Sequence, residues 1–280
     1  MSGADPASDG LASDGPAPET PADPAALGRE NAALKRRLAR TERNLRLLED
    51  LRETNERLLG TLMRELDAER RKSEQLLLDI LPRAVVERLG AGEGRIADRF
   101  EVAAILFTDF VGFSATAARL PAAEIVDRLG AVFAEFDRLA EAAGVEKVKT
   151  IGDAYMAAAG LPEARDDAAE ALADLALAMV AENARLRAAG VSLWQIRVGL
   201  HAGPVVAGVI GRRRFLYDVW GDTVNVAARL ESSSEPDRVH VSDAIARTLA
   251  DRFRLTPREP RELRGIGWMA TAFLDGRRAG

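Results

Sequence analysis

The chain has 280 residues, 47% hydrophobic and 30% charged, enough for one sizeable core with accessory segments and too apolar for a wholly disordered polymer. It holds no cysteine and only two histidines, His201 and His240, which excludes disulfides and thiolate nucleophiles and argues against zinc. Any metal chemistry must therefore rest on carboxylates and hard ions of the magnesium type. The formal net charge of -5 comes from residues 1–26, where Asp5, Asp9, Asp14, Glu19 and Asp23 stand without Lys or Arg; the remainder is neutral, 39 acids against 39 bases. A neutral body offers no basic footprint for nucleic acid or an anionic membrane. The longest uncharged run, Val198 to Gly211, is 14 residues broken by glycines and Pro204, short of the roughly 18 a membrane span needs. The expectation is a soluble, cytoplasmic chain without a secretion signal, whose partner is a small molecule or another protein.

Residues 1–26 contain five prolines and Ser-Asp-Gly clusters, too little apolar surface to offset the entropy of ordering, and are predicted to be a disordered acidic tail. From Leu27 to Pro82 no proline interrupts a Leu-, Arg- and Glu-rich segment. Leu27, Asn31, Leu34, Leu38, Thr41, Leu45 and Leu48, then Leu51, Asn55, Leu58 and Leu62, form a seam of alternating four- and three-residue steps with one stammer. This predicts a parallel coiled-coil dimerisation stalk over 27–75, with Asn31 and Asn55 at a-type positions that fix register. The same pattern is open to a single amphipathic helix lying on its own domain. The apolar block Leu76–Leu81, Pro82, a short helix Arg83–Leu89 and a glycine-rich loop through Gly94 predict a linking element over 76–99.

The region 100–280 has mixed patterning. Val102–Phe107 reads as a strand; Ile125, Leu129, Val132, Phe133, Phe136 and Ala140 repeat at helical spacing; Val145–Ile151 and Ala154–Ala158 read as a hairpin joined at Gly152-Asp153. Leu172, Leu175, Met179 and Leu186 mark another helix, and Ile196, Val198 and Leu200 alternate as a strand. The succession predicts an α+β sandwich with helices on one sheet face.

Asp109 ends the first strand, and the chain then turns through Gly112 toward a helix for which Ser114 is the candidate cap. A carboxylate beside free helix N–H groups can hold a metal and a phosphate together. Asp153 sits at the hairpin tip, and pairing that hairpin beside the Asp109 strand puts two carboxylates on one rim, the arrangement of two-metal phosphoryl chemistry. Taken singly, each acid reads more readily as a turn residue than as a metal ligand. Asn225 and Arg229, four apart, project from one helix face.

Phe107-Thr108-Asp109-Phe110-Val111-Gly112-Phe113-Ser114, Lys149-Thr150-Ile151-Gly152-Asp153-Ala154-Tyr155-Met156 and the run from Tyr217 to Leu230 resemble the three signature segments of class III nucleotidyl cyclases, in family order and spacing. The similarity spans about residues 74–275, and Leu76–Pro82 is similar to the transducer element that precedes many such domains. The resemblance implies the ferredoxin-like, palm-type sandwich of that family. It implies that Asp109, Asp153 and Phe110 form a site for two Mg²⁺ or Mn²⁺, one lowering the pKa of the ribose 3′-hydroxyl and one holding the triphosphate. Gly112, Phe113, Ser114, Arg264 and Arg213 are implied as phosphate contacts, although Arg213 in the run Arg212–Arg214 reads equally as a solvated basic turn. Asn225 is implied to orient the ribose and Arg229 to stabilise transition-state charge. Lys149 and Asp218 match the adenine-reading pair, where guanylyl cyclases typically carry Glu and a small residue, so ATP is the implied substrate. Trp220 and Tyr155 are expected to pack. Class III sites form between two catalytic domains, so a homodimer with two composite sites follows, with any regulatory partner unknown. A guanylate cyclase and a catalytically silent nucleotide-binding dimerisation module remain the alternatives.

Overall fold

The structure, a computed structural model, describes residues 24–78, 80–211 and 215–278. It divides into two compact units, one ending at Arg71 and one starting at Lys72. The tail over residues 1–23 lies outside the described residues. Helix α1 (Pro24–Leu78) begins three residues before the expected stalk boundary, with Pro24 at its first position, where a missing N–H costs nothing. Glu53 and Arg57 pair across one turn at 2.5 Å. Its seam is bare: Leu27, Leu34, Leu38, Leu45, Leu48, Leu51, Leu58 and Leu62 are all more than half exposed.

The second unit continues with α2 (Arg83–Gly90), β1 (Ala97–Phe110), α3 (Phe113–Ala117), α4 (Ala122–Ala142), β2 (Glu146–Ile151), β3 (Ala154–Ala159) and α5 (Ala168–Ala188). There follow β4 (Ile196–Ile210), β5 (Leu216–Trp220), α6 (Asp222–Ser232), β6 (Val239–Ser242), α7 (Asp243–Leu249), β7 (Phe253–Leu263) and β8 (Gly267–Arg277). The sheet runs β2-β3-β1-β4-β6-β8-β7, with β5 paired to β4; β4 and β6 are parallel and the other pairs antiparallel. It is the α+β architecture expected.

Strand alternation sorts the core. Ala104, Leu106, Ile196, Val198 and Leu200 face one way, against Val132, Phe136 and Ala140 of α4, Leu172, Leu175 and Met179 of α5, and Ile245 and Leu249 of α7. Ala103, Ile105, Phe107, Val205 and Ala207 face the other way and meet Leu81, Val85 and Val86 around α2 and Ala227 of α6. Helices thus cover both faces, not one. Glycine is the reason: a Cβ at Gly199 of β4 would lie 2.1 Å from the Glu231 nitrogen and 2.5 Å from the Ala227 carbonyl oxygen, so only a bare strand admits α6 there. The expected linking element is also part of this core, Leu81, Val85, Val86 and Ile96 being buried.

The first strand starts at Ala97, earlier than its apolar run, and a bulge between Phe100 and Ala103 turns Val102 outward, 66% exposed. The alternating stretch at Ile196 extends to Ile210.

Candidate active site

Asp109 is the penultimate residue of β1, with Arg197 of β4 as its cross-strand partner. The β2–β3 hairpin closes with the two residues Gly152 and Asp153 between the paired Ile151 and Ala154. Gly152, at φ 64°, takes the first loop position, which two-residue turns of the II′ type give to glycine. Because β3 pairs β1 up to Thr108↔Tyr155, the hairpin tip falls beside Asp109, as expected. Burial and the neighbouring Asp109 charge push the Asp153 carboxyl up to about 6, the mark of two carboxylates sharing a site.

Arg197 Nη2 donates to Asp109 Oδ2 at 2.9 Å, and its Nε lies 3.1 Å from Glu231 Oε1 of α6. Glu231 is itself buried, and its carboxyl is pushed up to about 7, first by burial and then by Asp109. Neither Arg197 nor Glu231 stands out in the sequence reading. A glutamate on the apolar face of an amphipathic helix, following Val226, Ala227 and Leu230, is the available signal; Arg197 looks like an ordinary solvated position in an alternating strand until the register is known.

Beyond Asp109, the Phe110 ring is 3% exposed and packs at 5.4 Å from Trp194 and 5.9 Å from Phe133, which leaves only its main chain for a metal. Gly112 occupies the left-handed region at φ 72° and is the N-cap of α3. Ser114 is therefore inside the helix rather than its cap, a correction that follows from glycine alone tolerating this backbone cheaply. Ser114 and Gly112 are exposed and Phe113 half-buried.

Lys149 of β2 and Asp218 of β5 meet directly. The ammonium donates to both carboxylate oxygens, at 2.8 and 2.6 Å, and Asp218 also accepts from the Val219 N–H at 2.8 Å. Asn225 and Arg229 share the outer face of α6 and are exposed, opposite the buried Thr223, Val226, Ala227 and Leu230. Among the described residues neither side chain forms a hydrogen bond or ion pair, so the chain does not bring them onto Asp109. Arg264 is exposed in the β7–β8 turn. Arg213 lies outside the described residues. Tyr155 is fully buried, its hydroxyl donating to Asp137 at 2.8 Å. Trp220 departs from the packing role expected of it, being 39% exposed beside exposed Val206, Ile210, Phe215 and Leu216, because β5 pairs only β4 and nothing in the described chain covers that end.

The fold is that of a nucleotide cyclase catalytic domain. The guanylate cyclase domain of RhGC from Catenaria anguillulae, solved in complex with GTP, matches with a TM-score of 0.63 and 32% identity, covering 65% of this chain and 100% of that one. The chain belongs to the adenylate and guanylate cyclase catalytic domain family, whose model matches residues 96–276. An adenylate cyclase of Mycobacterium tuberculosis is 43% identical over 214 residues, 76% of this chain and 48% of that protein. Guanylate cyclase D of Mus musculus is 40% identical over 240 residues, 83% of this chain and 21% of that protein. The chain thus spans half or less of these curated relatives, and both base specificities occur among them. No helix of the described residues is long and apolar enough to cross a membrane.

Proposed function

We propose that the chain is an adenylate cyclase that converts ATP to 3′,5′-cyclic AMP and pyrophosphate. The observation carrying this reading is the Lys149–Asp218 pair, with Nζ 2.6 Å from Oδ2. An ammonium and a carboxylate side by side match the adenine edge, donating to ring N1 and accepting from the exocyclic amine. Guanine presents the opposite polarity at those two atoms.

Asp109 and Asp153 fit a divalent cation. Their crowding, which holds Asp153 near 6, is relieved by positive charge, and two carboxylates with a backbone carbonyl at Phe110 are a hard-oxygen donor set that leaves room for substrate phosphates. When bound, Mg²⁺ or Mn²⁺, two per site, supplies Lewis-acid activation of the 3′-hydroxyl and neutralisation of the triphosphate. In the reaction the ribose 3′-hydroxyl gives up its proton to water, its oxygen forms a bond to the α-phosphorus, the bond from phosphorus to the α,β-bridging oxygen breaks, and pyrophosphate leaves with that electron pair. Asn225 orients the ribose, Arg229 meets charge developing on the phosphoryl oxygens, and Arg264, the N–H groups at Gly112–Ser114 and Arg213 bind phosphates. Asn225 and Arg229 point outward from α6, which supports a site completed by a second chain: Asp109 and Asp153 from one, Lys149, Asp218, Asn225 and Arg229 from the other. The bare leucine seam of α1 supports the coiled coil as the parallel two-fold connector, with residues 27–75 as stalk, 76–99 as transducer and 100–280 as catalytic domain, in a cytoplasmic homodimer.

The 40% identity to a guanylate cyclase keeps cyclic GMP as the competing product. Purified protein assayed with Mg²⁺ or Mn²⁺ and ATP or GTP decides between them. Cyclic AMP from ATP that disappears in Asp109→Ala and drops at least about a hundredfold in Lys149→Glu is the expected result. Cyclic GMP as the main product would overturn the base assignment.

A further inference from the structure

Asp109 is already occupied. Its Oδ2 accepts a hydrogen bond from Arg197 Nη2 at 2.9 Å, and the cross-strand register Asp109↔Arg197 makes this contact a property of the sheet rather than of a wandering side chain. The guanidinium has a second anion within reach, Glu231 Oε1 at 3.1 Å from Nε. That second contact is incomplete, because neither atom is in hydrogen-bonding geometry with any partner although both are buried. Glu231 owes its place to Gly199, whose missing side chain lets the Glu231 backbone sit on β4. A guanidinium thus stands between two carboxylates, bonded to one and only approached by the other.

We infer that Arg197 is a resident counter-cation of the Asp109–Asp153 pair that must give up Asp109 before a divalent ion can be held there, and that Glu231 is the anion that receives it. The inference rests on reading Asp109 and Asp153 as metal carboxylates. A guanidinium bonded to Oδ2 offsets one of the two carboxylate charges and occupies one ligand position, which makes cation binding conditional. Glu231 lowers the cost of release by keeping the displaced guanidinium paired rather than alone in a partly buried place. The consequence is a site with low affinity for metal alone. Substrate phosphates, which bring their own negative charge, tip the exchange, so that ion and nucleotide load together.

The test is Mn²⁺ binding to the full chain without nucleotide, read from the EPR signal of free Mn²⁺, with the fold of each variant checked by circular dichroism. Arg197→Met removes the competing cation and is expected to bind Mn²⁺ about tenfold more tightly than wild type, the lower range for a hydrogen bond between charged groups. Arg197→Gln carries the same expectation should the methionine variant misfold. Glu231→Gln leaves the guanidinium to Asp109 alone and is expected to weaken Mn²⁺ binding; a purely structural role would weaken it in every variant. Unchanged or weaker binding in the Arg197 variants, with loss of binding in Asp109→Asn, overturns the inference and leaves the metal-site reading standing. Mn²⁺ binding indifferent to Asp109→Asn overturns both, and absence of measurable binding in wild type and Arg197 variants alike shows that the guanidinium is not what excludes the ion.

Discussion

His240 is fully buried in β6, its Nδ1 2.9 Å from the Leu230 carbonyl oxygen, so that nitrogen carries the proton. The other nitrogen, Nε2, accepts from Arg258 Nη1 at 3.4 Å, and the ring lies 5.4 Å from that of Phe273. A second proton would break the Arg258 contact and put like charges together. Burial, and then the charges of Arg258 and Arg261, pull its pKa down to about 4, while the Leu230 contact pulls the other way. The unfolded chain, at about 6.5, takes the proton first as pH falls, so this residue's contribution is complete above 6.5 and is lost progressively toward 4. The loss between pH 7 and pH 5 should be about 2 kcal/mol. Urea denaturation at the two pH values, compared with His240→Gln, checks it: the variant should be less stable at pH 7 and should lose less between 7 and 5, and parallel losses in the two proteins would refute the assignment. The proposed base pair was legible for a different reason. Lys149 and Asp218 stand in segments that resemble those of the family, and they meet at 2.6 Å. Arg197 and Glu231 could not be found that way, because what makes them special is the β1–β4 register and a helix pressed onto a glycine, neither of which a residue-by-residue reading contains.

The same limit recurs among the elements. Helices α4 and α5 follow from apolar spacing and the β2–β3 hairpin from Gly152-Asp153, because each signal is local. The full length of β4 does not, since Gly199, Gly203 and Gly208 interrupt its apolar alternation in order to admit neighbours whose position is a tertiary fact. Contact makes these glycines costly to change. Gly199→Ala drives a methyl into the backbone of α6, 2.1 Å from the Glu231 nitrogen, and neither the helix nor the central strand can yield cheaply. The expected cost is about 3 kcal/mol in urea denaturation, together with loss of activity as α6 carries Asn225 and Arg229 off position. Gly130 is the counter-example, lying within α4 with nothing within 4 Å of its absent Cβ. There, Gly130→Ala should stabilise by up to about 1 kcal/mol by reducing the freedom of the unfolded chain. A Gly199→Ala protein as stable as wild type would mean that α6 is not seated through that glycine.

At the scale of the whole molecule, the outer face of α6 argues for two chains. Asn225 and Arg229 are exposed there, on the side of the helix away from the buried Val226, Ala227 and Leu230. Exposed Phe215, Leu216 and Trp220, with Trp268 76% exposed on β8, leave apolar surface for a partner to bury. The stalk should hold that partner close, so removing residues 1–70 should make specific activity fall on dilution where the full chain's does not. The composite site can be tested without any structure of the dimer. Asp109→Ala removes a metal carboxylate and Arg229→Ala a transition-state group, and each homodimer should be nearly inactive because both of its sites carry the lesion. In a co-expressed mixture, half of the dimers are mixed, and in each of these one site collects both lesions while the other receives Asp109 from one chain and Arg229 from the other. One intact site in half of the dimers amounts to about a quarter of wild-type activity. If both residues served the same nucleotide from a single chain, every site would keep one lesion and mixing would restore nothing.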